Sequence, residues 1–242
     1  MAIYLQFLVV IPARGGSVRV PRKNVKLLNG KPLIAYAIEV SKKSSFNPKI
    51  VVSTDDEEIK SVALEYGAEV PFKRPKELSE DVPTEDVVLH AVNWLEENQD
   101  YTADIVVCLE PPVPLRTVEH LDSCIKAFKS DQYVDSVITV TPVGANRPEW
   151  MMTLDKNNYI NQYSDYFKLR GNGLMKFPAS QSFSPIYKVS GAVFSCRTET
   201  LKHNSGMVGP FCKAIEIDSD VSFDLDTPID FEILEYLLKN NE

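Results

Sequence analysis

A chain of 242 residues with 44% hydrophobic side chains can build one α/β domain with a sizeable core, and is short for two domains of typical size. Its 25% charged residues are ordinary for a globular protein, and no apolar run approaches the roughly 18 residues of a membrane-spanning helix. A formal net charge of −8 and a pI near 5.1 leave no broad basic face, so neither nucleic acid nor a membrane is an expected partner.

Residues 5–11 (LQFLVVI) do not alternate with polar residues after Gln6, which suits a parallel strand buried on both faces. No basic residue precedes them and no small-residue cleavage site follows, so they are not expected to be a secretory signal. Residues 11–26 (IPARGGSVRVPRKNVK) then read as a loop. Gly15 and Gly16 permit backbone angles and close approach that let successive N–H groups turn toward one anion. Arg14, Arg19, Arg22, Lys23 and Lys26 add positive charge, and no Asp or Glu occurs before Glu39. That concentration points to a polyphosphate; the plainer reading is a connecting turn with solvated basic residues. The loop contains neither Gly-x-x-x-x-Gly-Lys-Ser/Thr nor Gly-x-Gly-x-x-Gly, which disfavours a P-loop kinase or a standard dinucleotide dehydrogenase.

A helix is expected from Pro32, with Leu33/Ala37 and Ile34/Ile38 stacked one turn apart, followed by a buried strand at 49–53. Asp55 or Asp56 caps a second helix with Ile59, Val62, Ala63 and Tyr66 inward and Gly67 as its stop. Residues 70–72 form a short strand candidate. Thr84 is expected to cap a helix that buries Val87, Val88, Ala91 and Leu95, and 105–109 is another buried strand. Three prolines forbid a helix in 110–116, after which Thr117 caps a helix with Leu121, Cys124, Ile125 and Phe128 inward, and 136–140 is the next strand. This alternation implies a doubly wound, mostly parallel sheet, with its ligand crevice at the carboxyl ends of the strands.

From 151 to 185 the pattern breaks. Residues 155–158 (DKNN) form a hairpin-like turn, and Tyr159, Tyr163, Tyr166 and Phe167 add aromatic density without a regular period, so the segment reads as an insertion in the single domain 1–242. A strand is expected at 187–196, with Gly191 marking close backbone approach, and a final helix from Pro228, capped by Thr227, burying Ile229, Ile233, Leu234 and Leu237. Before it, Asp224 and Asp226 project to one side of an extended segment while Leu225 faces the core. Their repulsion calls for a cation or a helix N-terminus, and Mg²⁺ suits a few carboxylates completed by water and phosphate oxygens. The plainer reading is that Asp226 or Thr227 caps the helix and Asp224 is solvated. Cys108, Cys124, Cys196 and Cys212 are too far apart for a zinc knuckle or a disulfide framework, so reduced thiols in a cytoplasm are expected.

Residues 11–24 resemble the N-terminal signature of the cytidylyltransferases that make CMP-activated nine-carbon acidic sugars, the CMP-N-acylneuraminate synthetases and their pseudaminate and legionaminate relatives. Later segments fall in the same order and spacing, so the resemblance covers nearly the whole chain. It implies transfer of CMP from CTP to the anomeric hydroxyl of an acidic sugar with release of pyrophosphate. On the matching positions it implies that Arg14 and Lys23 hold the triphosphate, that Ala13, Gly15, Gly16 and Ser17 supply backbone or hydroxyl contacts, and that Asn24 helps read cytosine. Arg74, Asp81 and Thr84 fall where the family approaches the nucleotide, and Asp224 and Asp226 match the family's Mg²⁺ (or Mn²⁺) pair. The sugar side would draw on Glu110, Arg116, Arg170, Gln181, Tyr187 and Lys188, and the 151–185 insertion would be a homodimer arm. Three positions depart from the pattern: Val18 replaces a common lysine, Glu110 stands where sialate-activating relatives place glutamine, and Ser180-Gln181 lacks the expected arginine. The rivals are a nucleotidyltransferase of the same fold making CMP-Kdo, a GMP-activated sugar or a CMP-phosphonate, and a silent nucleotide-binding protein.

Overall fold

Six apolar residues in a row leave a strand no solvent face, and β1 (Phe7–Pro12) lies inside a six-stranded sheet. The computed structural model of the protein describes residues 5–163, 184–204 and 206–240. After β1 come the two-residue strands β2 (Leu27–Leu28) and β3 (Lys31–Pro32), α1 (Leu33–Lys43), β4 (Lys49–Ser53), α2 (Glu57–Glu65) and α3 (Thr84–Gln99). β5 (Ile105–Cys108), α4 (Val118–Ser130) and β6 (Ser136–Pro142) follow. A hairpin of β7 (Met152–Leu154) and β8 (Ile160–Gln162) precedes β9 (Tyr187–Arg197), α5 (Thr198–Asn204), β10 (Cys212–Glu216) and α6 (Pro228–Asn240).

The sheet order is β10-β6-β9-β5-β1-β4, with β1 parallel to β4 and β5, and β10 parallel to β6. Phe7, Val9 and Ile11 of β1 pack with α1, α2 and α4 on one face, while Leu8 and Val10 pack with α3 and α5 on the other. The strand is therefore buried from both sides, and the doubly wound reading holds.

β9 runs antiparallel to β5, which a mostly parallel sheet admits. Several local expectations need correction. Residues 70–72 are not a strand: only Glu69 bridges Val51, and after Pro71 the chain turns so that the Arg74 N–H reaches the Thr54 carbonyl at 2.8 Å. Pro32 precedes α1 rather than opening it. Thr84 is the first residue of α3 and caps nothing; its hydroxyl donates to Glu110 Oε1 at 2.9 Å. α6 turns Phe231 and Leu234 inward to meet Leu225, Leu28 and Leu33, leaving Ile229 and Ile233 exposed. Gly191 is required by its φ of 72° rather than by crowding, since an added Cβ would lie an ordinary 3.6 Å from Val113. α5 and β10 had no sequence signal; β10 is a half-exposed edge strand carrying Lys213 and Glu216, without the apolar pattern of an interior one.

The chain divides into two compact units, residues 1–140 with 189–242, and residues 141–188. In the second, Asp155 Oδ1 accepts the N–H groups of Asn157 and Tyr159, and Asn158 takes a φ of 65°, which closes the β7–β8 hairpin at the expected turn. Leu154, Tyr159, Ile160 and Tyr163 are all more than 60% exposed there. Tyr187 and Lys188 belong to this unit, and Arg170 and Gln181 lie outside the described residues.

Candidate active site

The basic loop after β1 is tied down at two points. The Gly15 N–H donates to Asp55 Oδ1 at 2.9 Å, so in this structure it serves the fold rather than facing an open anion site. Neither Gly15 nor Gly16 has a positive φ; glycine is needed at 15 because a Cβ there would sit 2.8 Å from Asp56 Oδ2, whereas Gly16 has open space. Arg22, at a φ of 58°, forks onto Asp56 and also reaches Glu58. Asp56 in turn caps α2 through the N–H groups of Glu58 and Ile59, and the Arg22 hydrogen bond holds its pKa down at about 2. Between these anchors Val18 points outward, 87% exposed.

At the carboxyl ends of β1 and β5 the loop borders a cleft of about 370 Å³. Its lining gathers Arg14, Ser17, Arg19, Lys23, Asn24 and Arg74 together with Glu110, Asp224 and Asp226, and includes Glu80, Asp81 and Thr84. Arg14 donates to the Glu80 carbonyl and lies 3.5 Å from Asp81 Oδ1. Arg74 is buried against the Ser53 hydroxyl and carbonyl, and no carboxylate lies within 4 Å of it among the described residues. Burial lowers its pKa to about 10, with Asp55 opposing and Arg14 reinforcing the shift, so it remains charged at neutral pH. Asn24, also buried, donates its amide to the Arg14 carbonyl at 3.0 Å. Lys23 Nζ donates to the Leu225 carbonyl at 2.9 Å and lies 3.5 Å from Asp226 Oδ1, while Arg19 donates to Asp226 Oδ2 at 2.8 Å.

Fully buried Leu225 pins this acidic segment, as the alternation required, and its N–H is held by the Pro112 carbonyl at 2.9 Å. The start of α6 is capped by Asp230, which accepts the N–H groups of Asp226 and Thr227, so the Asp226 carboxylate is not spent on capping. Asp224 opens onto the cleft, yet the surrounding protein and then Asp226 raise its pKa above the ordinary aspartate value.

A family model described as cytidylyltransferase matches residues 8–238. The chain belongs to that family. A CMP-N,N'-diacetyllegionaminic acid synthase of Legionella pneumophila is 33% identical over 98% of both chains, and a pseudaminic acid cytidylyltransferase of Campylobacter jejuni is 31% identical over 97% of both. An N-acylneuraminate cytidylyltransferase of Escherichia coli is 28% identical over 94% of this chain and 51% of its own length. In fold the chain resembles a CMP:2-keto-3-deoxy-manno-octonic acid synthetase solved with CTP, at a TM-score of 0.72 and 16% identity over 98% of this chain and 100% of that one.

In this cytidylyltransferase some expected residues are set apart from the cleft. Ala13 is fully buried, its N–H on the Ser53 carbonyl, and neither it nor Gly15 nor Gly16 lines the cavity. Arg116 is buried as well, donating to the carbonyls of Val113 and Glu110, so it clamps the proline-rich loop rather than meeting the Glu110 carboxylate. The three histidines stand elsewhere: His90 against the Phe72 ring, His120 accepting the Thr117 N–H in a capping box of α4, and His203 beside the Glu199 carbonyl in α5. Among the cleft residues that sequence reasoning did not assign to the site, Arg19 and Glu80 are the charged ones, and the only sequence signal of Arg19 was membership of the basic loop.

The raised Asp224 pKa has a signed consequence. A carboxyl held above its unfolded value binds its proton more tightly when folded, so stability falls as pH rises through that window and the charged form costs stability above it. Asp224→Asn should therefore raise the melting temperature of the metal-free protein at pH 7. That gain should fade below the ordinary aspartate value of 3.8, where both states are protonated. A variant melting lower than wild type at pH 7 would contradict this reading of the segment.

Proposed function

We propose that this cytidylyltransferase transfers CMP from CTP to the anomeric hydroxyl of an acidic nine-carbon sugar and releases pyrophosphate. The observation that carries the reading is a single cleft that gathers Arg14, Arg19, Lys23 and Arg74 with Asp224 and Asp226 at the carboxyl ends of parallel strands. Arg74, a buried cation with no carboxylate partner among the described residues, favours an anionic ligand. Similarity to synthases and transferases named for legionaminic, pseudaminic and N-acylneuraminic acid supports the acceptor class.

In this scheme Arg14, Arg74 and Lys23 take the triphosphate, with Ser17, Asp81 and Thr84 around it. Asn24 keeps its amide oxygen for the cytosine edge while its nitrogen holds the loop. Asp224 and Asp226 fit a divalent cation such as Mg²⁺ or Mn²⁺, since both offer hard oxygen donors and their mutual repulsion, which adds to burial in raising Asp224, would be relieved by it. Two carboxylates leave the remaining positions of such an ion to substrate oxygens and water. Such an ion would neutralise phosphate charge and acidify the sugar hydroxyl. Glu110 lines the cleft, anchored by Thr84, and in this scheme its carboxylate accepts hydrogen bonds from the sugar.

The test is a pyrophosphate-release screen of CTP, GTP, UTP and ATP against nonulosonic acids and Kdo with Mg²⁺. Release confined to CTP with a nine-carbon acid is expected; release with Kdo alone, with GTP, or with no pair would overturn the proposal.

The exposed apolar residues of the 141–188 unit fit a homodimer interface, as a patch of that kind seeks a cover. Light scattering should find a dimer for the full chain and a monomer after deletion of 151–185, and a monomeric full chain at micromolar concentration would refute the arm. All four cysteines are free, which accords with a reducing cytoplasm, and among the described residues no helix is long and apolar enough to cross a membrane.

A further inference from the structure

Position 18 lacks the common lysine and places an 87% exposed Val18 at the cleft, where the next residue, Arg19, supplies a charge. Arg19 Nη1 donates to Asp226 Oδ2 at 2.8 Å across 207 positions of sequence, and Lys23 shares the other oxygen. The loop is anchored at Gly15 by Asp55, at Arg22 by Asp56 and at Val20, which is buried in the cluster that holds Leu225, so the backbone stays in place while the exposed Arg19 side chain can swing. The Arg19 side chain is 69% exposed, and an ion pair that open shifts an equilibrium by less than about fivefold. A triphosphate offers more charge and several oxygens that match the guanidinium fork.

From these observations we infer that Arg19 is a phosphate ligand held in reserve on Asp226, released to the nucleotide when Asp226 is neutralised or turns to another cation. The inference rests on the nucleotide reading above. In the empty cleft the pair screens Asp226 and keeps the Arg19 side chain near the acidic segment. With nucleotide present the same side chain exchanges one anion for another by rotating its long stem. Asp226 thereby couples the two halves of the site, because whatever occupies it frees a cation for the phosphates.

A double-mutant cycle in chelator isolates the exchange from metal binding. CTP affinity is measured by phosphorus NMR titration, which reaches millimolar dissociation constants, for wild type, Asp226→Asn, Arg19→Ala and the double variant. Asp226→Asn removes a repulsive carboxylate in either background, but only where Arg19 is present does it also release a cation. The expected result is a gain in CTP affinity about threefold larger with Arg19 than without it, in the range of exposed pairs. Equal gains in both backgrounds, or no CTP binding by any of the four proteins in chelator, would overturn the exchange. If CTP also fails to bind wild type with Mg²⁺, the nucleotide reading itself falls, so the two failures are distinguishable.

Discussion

Lys23→Ala is expected to lower kcat by about 100-fold or more while the KM for CTP changes little, since removing a donor aimed at developing charge has that scale of effect. Lys23 is held in place before any ligand arrives, by the Leu225 carbonyl at 2.9 Å and Asp226 at 3.5 Å, and its side chain is only 16% exposed. A cation fixed in this way reorganises little during reaction. Charge on the α,β-bridging oxygen and the departing pyrophosphate grows as the P–O bond breaks, so the ammonium gains more in the transition state than against bound CTP. Lys23→Arg should restore only part of the rate, because the fork-shaped head places its donors differently. Arg14, reaching the Glu80 carbonyl and Asp81, should act on binding and turnover together. Steady-state kinetics at saturating sugar decides the matter. A Lys23→Ala enzyme with intact kcat and only a raised KM would make the residue a nucleotide anchor and nothing more.

The second large effect is expected at Asp226, where Asn should lose on the order of 100-fold or more in turnover while the protein stays folded. Folding should survive because the main-chain N–H of Asp226 keeps its bond to Asp230 at 2.8 Å and the neighbouring Leu225 remains buried. Turnover should not, because the carboxylate positions Lys23 and supplies half of the proposed cation pair. Manganese titration followed by electron paramagnetic resonance should show weakened binding in the same variant. Full activity of Asp226→Asn, or of the wild type in excess chelator, would remove the cation from the proposal.

These effects could be named from sequence because the chemistry there is local. Two carboxylates separated by one apolar residue must share a side in an extended segment, and Leu225 pointing inward is what makes them point outward. The helices of the Rossmann-like core were legible for a related reason: Ile34/Ile38 and Leu121/Ile125 repeat at the helical period, and the core buries all four. Misreadings fell where the local pattern was weak. Ile229 and Ile233 have the same spacing as Phe231 and Leu234 do approximately, and only the packing partner chose between the two faces of α6.

By itself, then, the sequence determined the alternation of buried strands and amphipathic helices, the concentration of cations after the first strand and the outward pair at Asp224 and Asp226, all set by spacing within a few residues. Tertiary structure alone decided which cation meets which anion. Arg19 and Asp226 are 207 positions apart, Arg14 reaches Asp81 over 67, and Gly15 yields its N–H to Asp55 over 40. The antiparallel course of β9 and the edge position of β10 were likewise settled by strand pairing rather than by local preference. Strand pairings of this kind arise because a buried backbone donor must find an acceptor somewhere in the folded chain, and no periodicity records how far away that acceptor lies.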